Sequence, residues 1–145
     1  MAVRYFAYGS NMAEALMMEH CPGHRLLGTA CLRGHRLMFN RRSIRTGSGV
    51  ADVVPADGED VWGVLYELED EELEVLDLKE GHDWAYVRVQ LEVEHGGVRE
   101  PALTYVVKEK EPAEVEPSQE YLAGILAAAR MRGLPAAYIE RLASR

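Results

Sequence analysis

The stretch from Trp84 to Val107 constrains the fold most. Tyr86, Val87, Val89, Leu91 and Val93 alternate with polar residues up to Glu94, His95-Gly96-Gly97 reverses the chain, and Val98 to Val107 returns. Apolar residues at every second position place one face of a strand against a core, and a glycine pair supplies the positive φ that a tight hairpin needs. At least one antiparallel pair must therefore form, and the rest of the chain has to cover it. Upstream, Leu26–Leu32, Arg36–Phe39, Gly49–Val54 and Val61–Leu68 read as four more strands, with Ala56-Asp57-Gly58-Glu59 as a hairpin turn. Val3–Tyr8 reads as a buried strand that stops at Gly9-Ser10.

Helical signals surround these strands. Ser10 or Asn11 is placed to cap a helix from Met12 to His20, which Cys21-Pro22-Gly23 ends. Asp70 is expected to cap a second helix that turns Leu73, Leu76 and Val75 inward and closes at Glu80-Gly81. Ser118 caps a third, running to about Arg132 with Gly133 as its stop, and Pro135 suits the first turn of a last helix to Ala143. The charged, proline-punctuated segment Lys108–Pro117 reads as a surface connection, with too little chain beyond it for a second core. The expectation is one α+β domain over residues 1–145, with 48% apolar residues as in ordinary globular proteins.

A net charge of -8 opposes nonspecific binding to nucleic acid or anionic lipid. The one basic cluster, Arg41, Arg42 and Arg45, is short and lacks interleaved aromatics, so it reads as a solvated loop. Two cysteines, Cys21 and Cys31, in a chain able to build its own core read as reduced residues of a cytoplasmic protein. No apolar run reaches membrane-spanning length and the first residues lack a secretory pattern. His20, Cys21, His24, Cys31 and His35 match no common zinc spacing, so no metal is expected. His82 reads as a loop histidine.

Two features could carry chemistry. In Tyr8-Gly9-Ser10-Asn11-Met12 a strand runs through a glycine turn into a helix, which exposes backbone N–H groups suited to a carboxylate or an oxyanion. The alternative is a plain, well-capped turn, for the motif has neither the spacing of a phosphate loop nor a G-x-S-x-G elbow. The second is Glu80. Most of the acidic residues from Glu67 to Glu80 read as a solvated helix face, and an interaction role for that face is one rival reading. Glu80 sits at the negative end of the helix dipole, an unfavourable place for a carboxylate unless function or the neighbouring Lys79 compensates.

Taken together, the chain resembles the γ-glutamylcyclotransferase family, with its AIG2-like and γ-glutamylamine cyclotransferase branches. The likeness runs from Tyr5-Phe6-Ala7-Tyr8-Gly9-Ser10-Asn11-Met12 through Phe39-Asn40, Gly49, Ala51, Pro55 and Gly58 to Val61-Trp62-Gly63-Val64 and Tyr66. It continues in Leu76-Asp77-Leu78-Lys79-Glu80-Gly81, Tyr105, Pro117-Ser118-Gln119-Glu120-Tyr121 and Gly133-Leu134-Pro135. The loops Gly81–Tyr86 and Lys108–Pro117 depart from the family forms in length. The resemblance implies a small mixed β-barrel of five or six strands surrounded by helices, and Glu80 as the catalytic general acid/base. It also implies a γ-glutamyl substrate held at Tyr8, Gly9, Ser10, Asn11 and Met12 with Tyr105 and Tyr121 as further contacts, no cofactor, and a monomer or homodimer. A catalytically idle module that binds the same ligand is the alternative.

Overall fold

The computed structural model describes residues 2–145. Among these residues the order is β1 (Ala2–Ala7), α1 (Glu14–His20), β2 (Arg25–Arg42), β3 (Gly49–Glu69), α2 (Asp70–Glu80), β4 (Tyr86–His95), β5 (Val98–Val107), α3 (Gln119–Met131) and α4 (Ala136–Ala143). A 3-10 turn, Ser10–Met12, joins β1 to α1.

The strands form one sharply curved sheet whose order, β1-β3-β2-β4-β5, returns to β1 as a ring. β3 lies antiparallel to β1, from Ala2↔Glu69 to Ala7↔Val64, and to β2, from Arg25↔Glu67 to Arg42↔Gly49. The β4–β5 hairpin is laddered from Tyr86↔Val107 to His95↔Val98, with positive φ at Gly96 and Gly97 as its reversal requires. Its seams with the rest are thin, one parallel pair at Tyr5↔Leu103 and one antiparallel pair at Cys31↔Glu94. The α+β architecture and the five strands agree with expectation, as an unevenly closed ring rather than an evenly laddered barrel.

Tyr5, Phe6, Ala7 and Tyr8 are all buried, so the second half of β1 and the residue after it are covered on both faces. Phe6, Leu32, Leu65, Val61 and Val64 from the strands are fully buried with Met17, Leu76 and Ile125 from the helices. This continuous apolar contact, not any covalent link, holds helices to sheet; Cys21 and Cys31 are free and buried.

The four strands expected between Leu26 and Leu68 are two long ones, because glycine breaks that resemble strand ends are bulges. The β2–β3 register shifts between Leu26 and Gly28, between Arg33 and His35, and between Phe39 and Arg41. Ala56–Glu59 does not fold one half of β3 onto the other. Pro55 pairs with His35 and Asp60 with Arg33, so these residues form an excursion opposite the single Gly34, and both halves of β3 pair with β2.

Helix starts also differ from expectation. Met12 N–H donates to Gly9 O and Ala13 N–H to Ser10 O, both at 3.0 Å, so three-residue turns delay α1 to Glu14 and neither Ser10 nor Asn11 caps it with a side chain. α2 is capped by Glu69, reciprocally with Glu72, and Asp70 is its first residue. Leu73 and Leu76 are buried as expected, whereas Val75 is exposed. Ser118 caps α3 by accepting from Tyr121 N–H at 3.1 Å. Pro135 stands just before α4 rather than in its first turn.

Two segments that read as solvated are tied down. Glu72 accepts from Gly23 N–H at 2.6 Å besides its capping role, so part of the acidic face of α2 is structural. Lys108–Pro117 runs along the ends of β2 and β3, where Glu111 N–H donates to Asn40 O and Val115 N–H to Phe39 O, both at 2.7 Å. Lys110 pairs at 2.8 Å with the fully buried Asp52, which also accepts from Val107 N–H at 2.9 Å. No helix among the described residues is long and apolar enough to cross a membrane.

Close approach of β1 to β3 demands a glycine at position 63, where an added Cβ would lie 2.3 Å from Ala7 O and 2.9 Å from the Phe6 ring. Gly63→Ala must push backbone aside and is expected to destabilise the protein by about 1–3 kcal/mol, the usual range for overpacking. A lowered midpoint of urea unfolding checks this, and an unchanged midpoint would contradict the packing of β1 described above.

Candidate active site

A small, half-enclosed cavity opens at the end of the ring where β1 leaves the sheet and α2 ends. Tyr5, Tyr8, Gly9, Ser10, Asn11, Ala51, Glu80, Tyr86, Tyr105 and Tyr121 line it. The turn after β1 and the carboxylate at the end of α2, far apart in sequence, thus share one space.

Asn11 joins them. Its side-chain Nδ2 donates to Glu80 Oε1 at 2.8 Å and to Tyr5 OH at 2.9 Å, and its Oδ1 accepts from Lys79 Nζ. An amide has one acceptor and one donor end, so the lysine on Oδ1 directs the NH2 end at the carboxylate. Behind it, Tyr66 OH lies 2.9 Å from Asn11 O and 3.1 Å from Met12 O as donor, while Arg132 Nε donates to Met12 O at 2.9 Å. Both carbonyls of this buried turn are thereby satisfied, and the 3-10 geometry is held.

Glu80 reaches the cavity because α2 stops there. Gly81 takes the left-handed conformation, φ 64 and ψ 50, and its N–H turns back to the carbonyls of Asp77 and Leu78. A Cβ at this position would also meet the Trp84 ring at 2.6 Å. One turn earlier on the same helix face, Asp77 accepts from Tyr105 OH at 2.6 Å and pairs with Arg88, which orients the Tyr105 ring. Tyr8 OH donates to Tyr105 O. Across the cavity, Tyr121 OH accepts from Ala51 N–H at 3.1 Å and so keeps its own proton to offer.

Of the residues singled out from sequence, Tyr8, Gly9, Ser10, Asn11, Glu80, Tyr105 and Tyr121 all line the cavity. Met12 does not. Its side chain is fully buried in the core and its N–H is engaged with Gly9 O, which leaves the amides of Gly9, Ser10 and Asn11 outside those turn bonds. His82 lies off the cavity and accepts from Arg88 N–H at 3.2 Å. His20, Cys21, His24, Cys31 and His35 do not converge, and among the described residues no group of three or more His, Cys, Asp or Glu could hold a metal ion. Sequence reasoning missed Tyr5, Tyr86, Ala51 and the orienting role of Lys79. Asp77 could have been found, since i and i+3 on a helix share a face with Glu80; Tyr86 and Ala51 meet only through ring closure.

Burial raises the pKa of Glu80 above the usual carboxylate value, and the positive charge of Lys79, the Asn11 hydrogen bond and His20 pull it partly back. Lys79 is itself half-buried and its pKa is lowered by desolvation. Burial also raises the tyrosines, Tyr121 to about 12, so all five cavity phenols remain neutral donors at physiological pH.

Residues 60–142, which include α2 and its terminal Glu80, match the model of the AIG2-like family. The chain is 30% identical over 144 residues to the gamma-glutamylcyclotransferase of Homo sapiens, covering 95% of this chain and 76% of that protein. The enzyme of Bos taurus is 30% identical over 146 residues, covering 97% and 77%. A solved gamma-glutamyl cyclotransferase superposes with a TM-score of 0.92 at 27% identity, over 99% of this chain and 88% of that one. The chain belongs to the γ-glutamylcyclotransferase family and is an enzyme of that family.

The raised pKa of Glu80 has a consequence for stability. The folded protein binds this proton more tightly than the unfolded chain, so wild type loses stability relative to Glu80→Gln as pH rises from the unfolded to the folded pKa. Glu80→Gln, which can still accept from Asn11, is expected to be more stable than wild type at neutral pH and equal to it in acid, read from denaturation midpoints. Lys79→Met removes the largest influence holding the pKa down and should move the Glu80 titration, followed by carboxyl NMR, to higher pH. A downward shift would contradict the arrangement of Lys79, Asn11 and Glu80.

Proposed function

We propose that the enzyme converts a γ-glutamyl amino acid or γ-glutamyl amine to 5-oxoproline and the free amine, with Glu80 as the proton shuttle. The observation that carries this reading is the 2.8 Å hydrogen bond from Asn11 Nδ2 to Glu80 Oε1, which puts a base beside an amide-lined turn in one cavity. The nucleophile comes with the substrate. The α-ammonium loses a proton on the way to reaction, and the resulting amine attacks the γ-carbonyl carbon of the same molecule, forming the lactam C–N bond. Holding the chain folded for that attack lowers the barrier by several kcal/mol, on the order of 7 at best for well-oriented intramolecular reactions.

Glu80 then takes the second proton from the attacking nitrogen and returns it to the departing nitrogen as the original amide bond breaks. Burial, which raises the Glu80 pKa from the usual carboxylate value, makes the carboxylate a better proton acceptor for this transfer. The N–H groups of Gly9, Ser10 and Asn11 hold the α-carboxylate or the developing oxyanion, and the free proton of Tyr121 OH is available to the same group. Tyr105, clamped by Asp77, and Tyr8 bound the substrate on the other side.

Glu80→Gln is expected to remain folded and to lose about a hundredfold or more of its 5-oxoproline release, the usual contribution of general acid–base catalysis. Incubation with a panel of γ-glutamyl amino acids and γ-glutamyl-lysine, with 5-oxoproline measured directly, provides the check. Saturable binding without product from the wild type would favour the idle binding module, and unchanged turnover in the variant would remove Glu80 from the mechanism.

A further inference from the structure

The basic cluster Arg41, Arg42 and Arg45 takes no part in this chemistry, yet the fold brings it beside the cavity. It occupies the end of β2 and the tip of the β2–β3 hairpin, where Ser43 N–H donates to Ser48 O at 2.9 Å and Arg42 Nη1 to Gly47 O at 2.8 Å. Arg42 thus closes the tip. Arg41 lies over two rings, its guanidinium carbon 5.8 Å from the ring centre of Trp84 and 6.0 Å from that of Tyr86. The Tyr86 ring lines the cavity and is fixed by its hydroxyl, which donates to Ala51 O at 2.7 Å. Arg45 lines a groove that shares Ser10 and Tyr121 with the cavity.

Aromatic contact holds a guanidinium by its face and leaves its N–H edge free for a planar anion. Arg4, Arg25, Arg33, Arg88, Arg99 and Arg145 each pair with a carboxylate; Arg41 and Arg45 are among the arginines that have no such pair among the described residues, and of these Arg41 lies against a ring that lines the cavity. In a chain of net charge -8, unpaired arginines beside a cavity create a local positive field where the average surface repels anions. Tyr86 is the wall that the cavity shares with Arg41, so a substrate whose α-carboxylate took the Gly9–Asn11 turn and whose scissile amide met Glu80 would have this wall available to its departing amine.

We propose that Arg41 is a specificity-determining residue whose free guanidinium edge receives a carboxylate on the departing amine, with Arg45 extending the field along the adjoining groove. The enzyme then favours γ-glutamyl compounds with an anionic leaving part over those with a neutral one. This inference rests on the cyclotransferase reading for the identity of its ligand.

γ-Glutamyl-L-alanine and γ-glutamyl-ethylamide differ only in that carboxylate, so the ratio of their kcat/KM values isolates the contact. Wild type is expected to favour the alanine compound by about tenfold or more, the factor that a charged hydrogen bond commonly carries. Arg41→Met should collapse the ratio towards one, Arg41→Lys should keep part of it, and added salt should reduce it in the wild type. The same ratio is read as relative affinity by calorimetry in Glu80→Gln, with and without Arg41→Met, which requires no turnover. An Arg41-dependent affinity ratio without 5-oxoproline from the wild type sinks the cyclisation reading alone. A ratio near one in the wild type, or one insensitive to Arg41, overturns the specificity role while turnover persists. Failure of both ligands to bind overturns both.

Discussion

The Asn11 side chain is the contact on which the site depends. It is buried, and a buried amide left unpaired is costly, so its three partners at Tyr5, Lys79 and Glu80 are a condition of folding as well as of geometry. The bonds tie the turn after β1 to the last residues of α2. Since β1 lies in the ring and α2 packs Leu76 into the core beneath it, the carboxylate is placed by the whole sheet rather than by a flexible loop.

The surrounding structure supports this junction in layers. Tyr66 and Arg132 satisfy the carbonyls of the turn from behind, Gly81 ends α2 so that Glu80 faces the cavity, and Asp77 with Arg88 fixes Tyr105 at its side. On the far wall, Ser118 starts α3 and thereby sets Tyr121 in the first helical turn, from which its hydroxyl meets Ala51 N–H. Each group works through an ordinary local rule. Their convergence is the product of ring closure.

That distinction explains what could be read from sequence. The β4–β5 hairpin, the stop at Gly81, the cap at Ser118 and the pairing of Glu80 with the Tyr8–Asn11 turn were legible, because each rests on short-range chemistry or on an ordered set of motifs. The continuous β2 and β3 were not, since a glycine at a bulge and a glycine at a strand end look alike until the partner strand is known. Met12 was misplaced for a similar reason: its N–H is engaged within a 3-10 turn whose i→i+3 bonds leave no composition signal. Tyr86, Ala51 and the orientation of Asn11 by Lys79 depend on contacts across the sheet or between elements, which spacing alone does not reveal.

The hairpin tip from Ser43 to Ser48 stands apart from the two seams that close the ring, and most of its residues are solvent-exposed. Insertions or substitutions there disturb few buried contacts, whereas changes at Asn11 or Gly81 disturb many. The rim beside the cavity and the junction beneath it therefore differ in how much sequence change they tolerate, so the tip can vary while the floor of the cavity stays as it is.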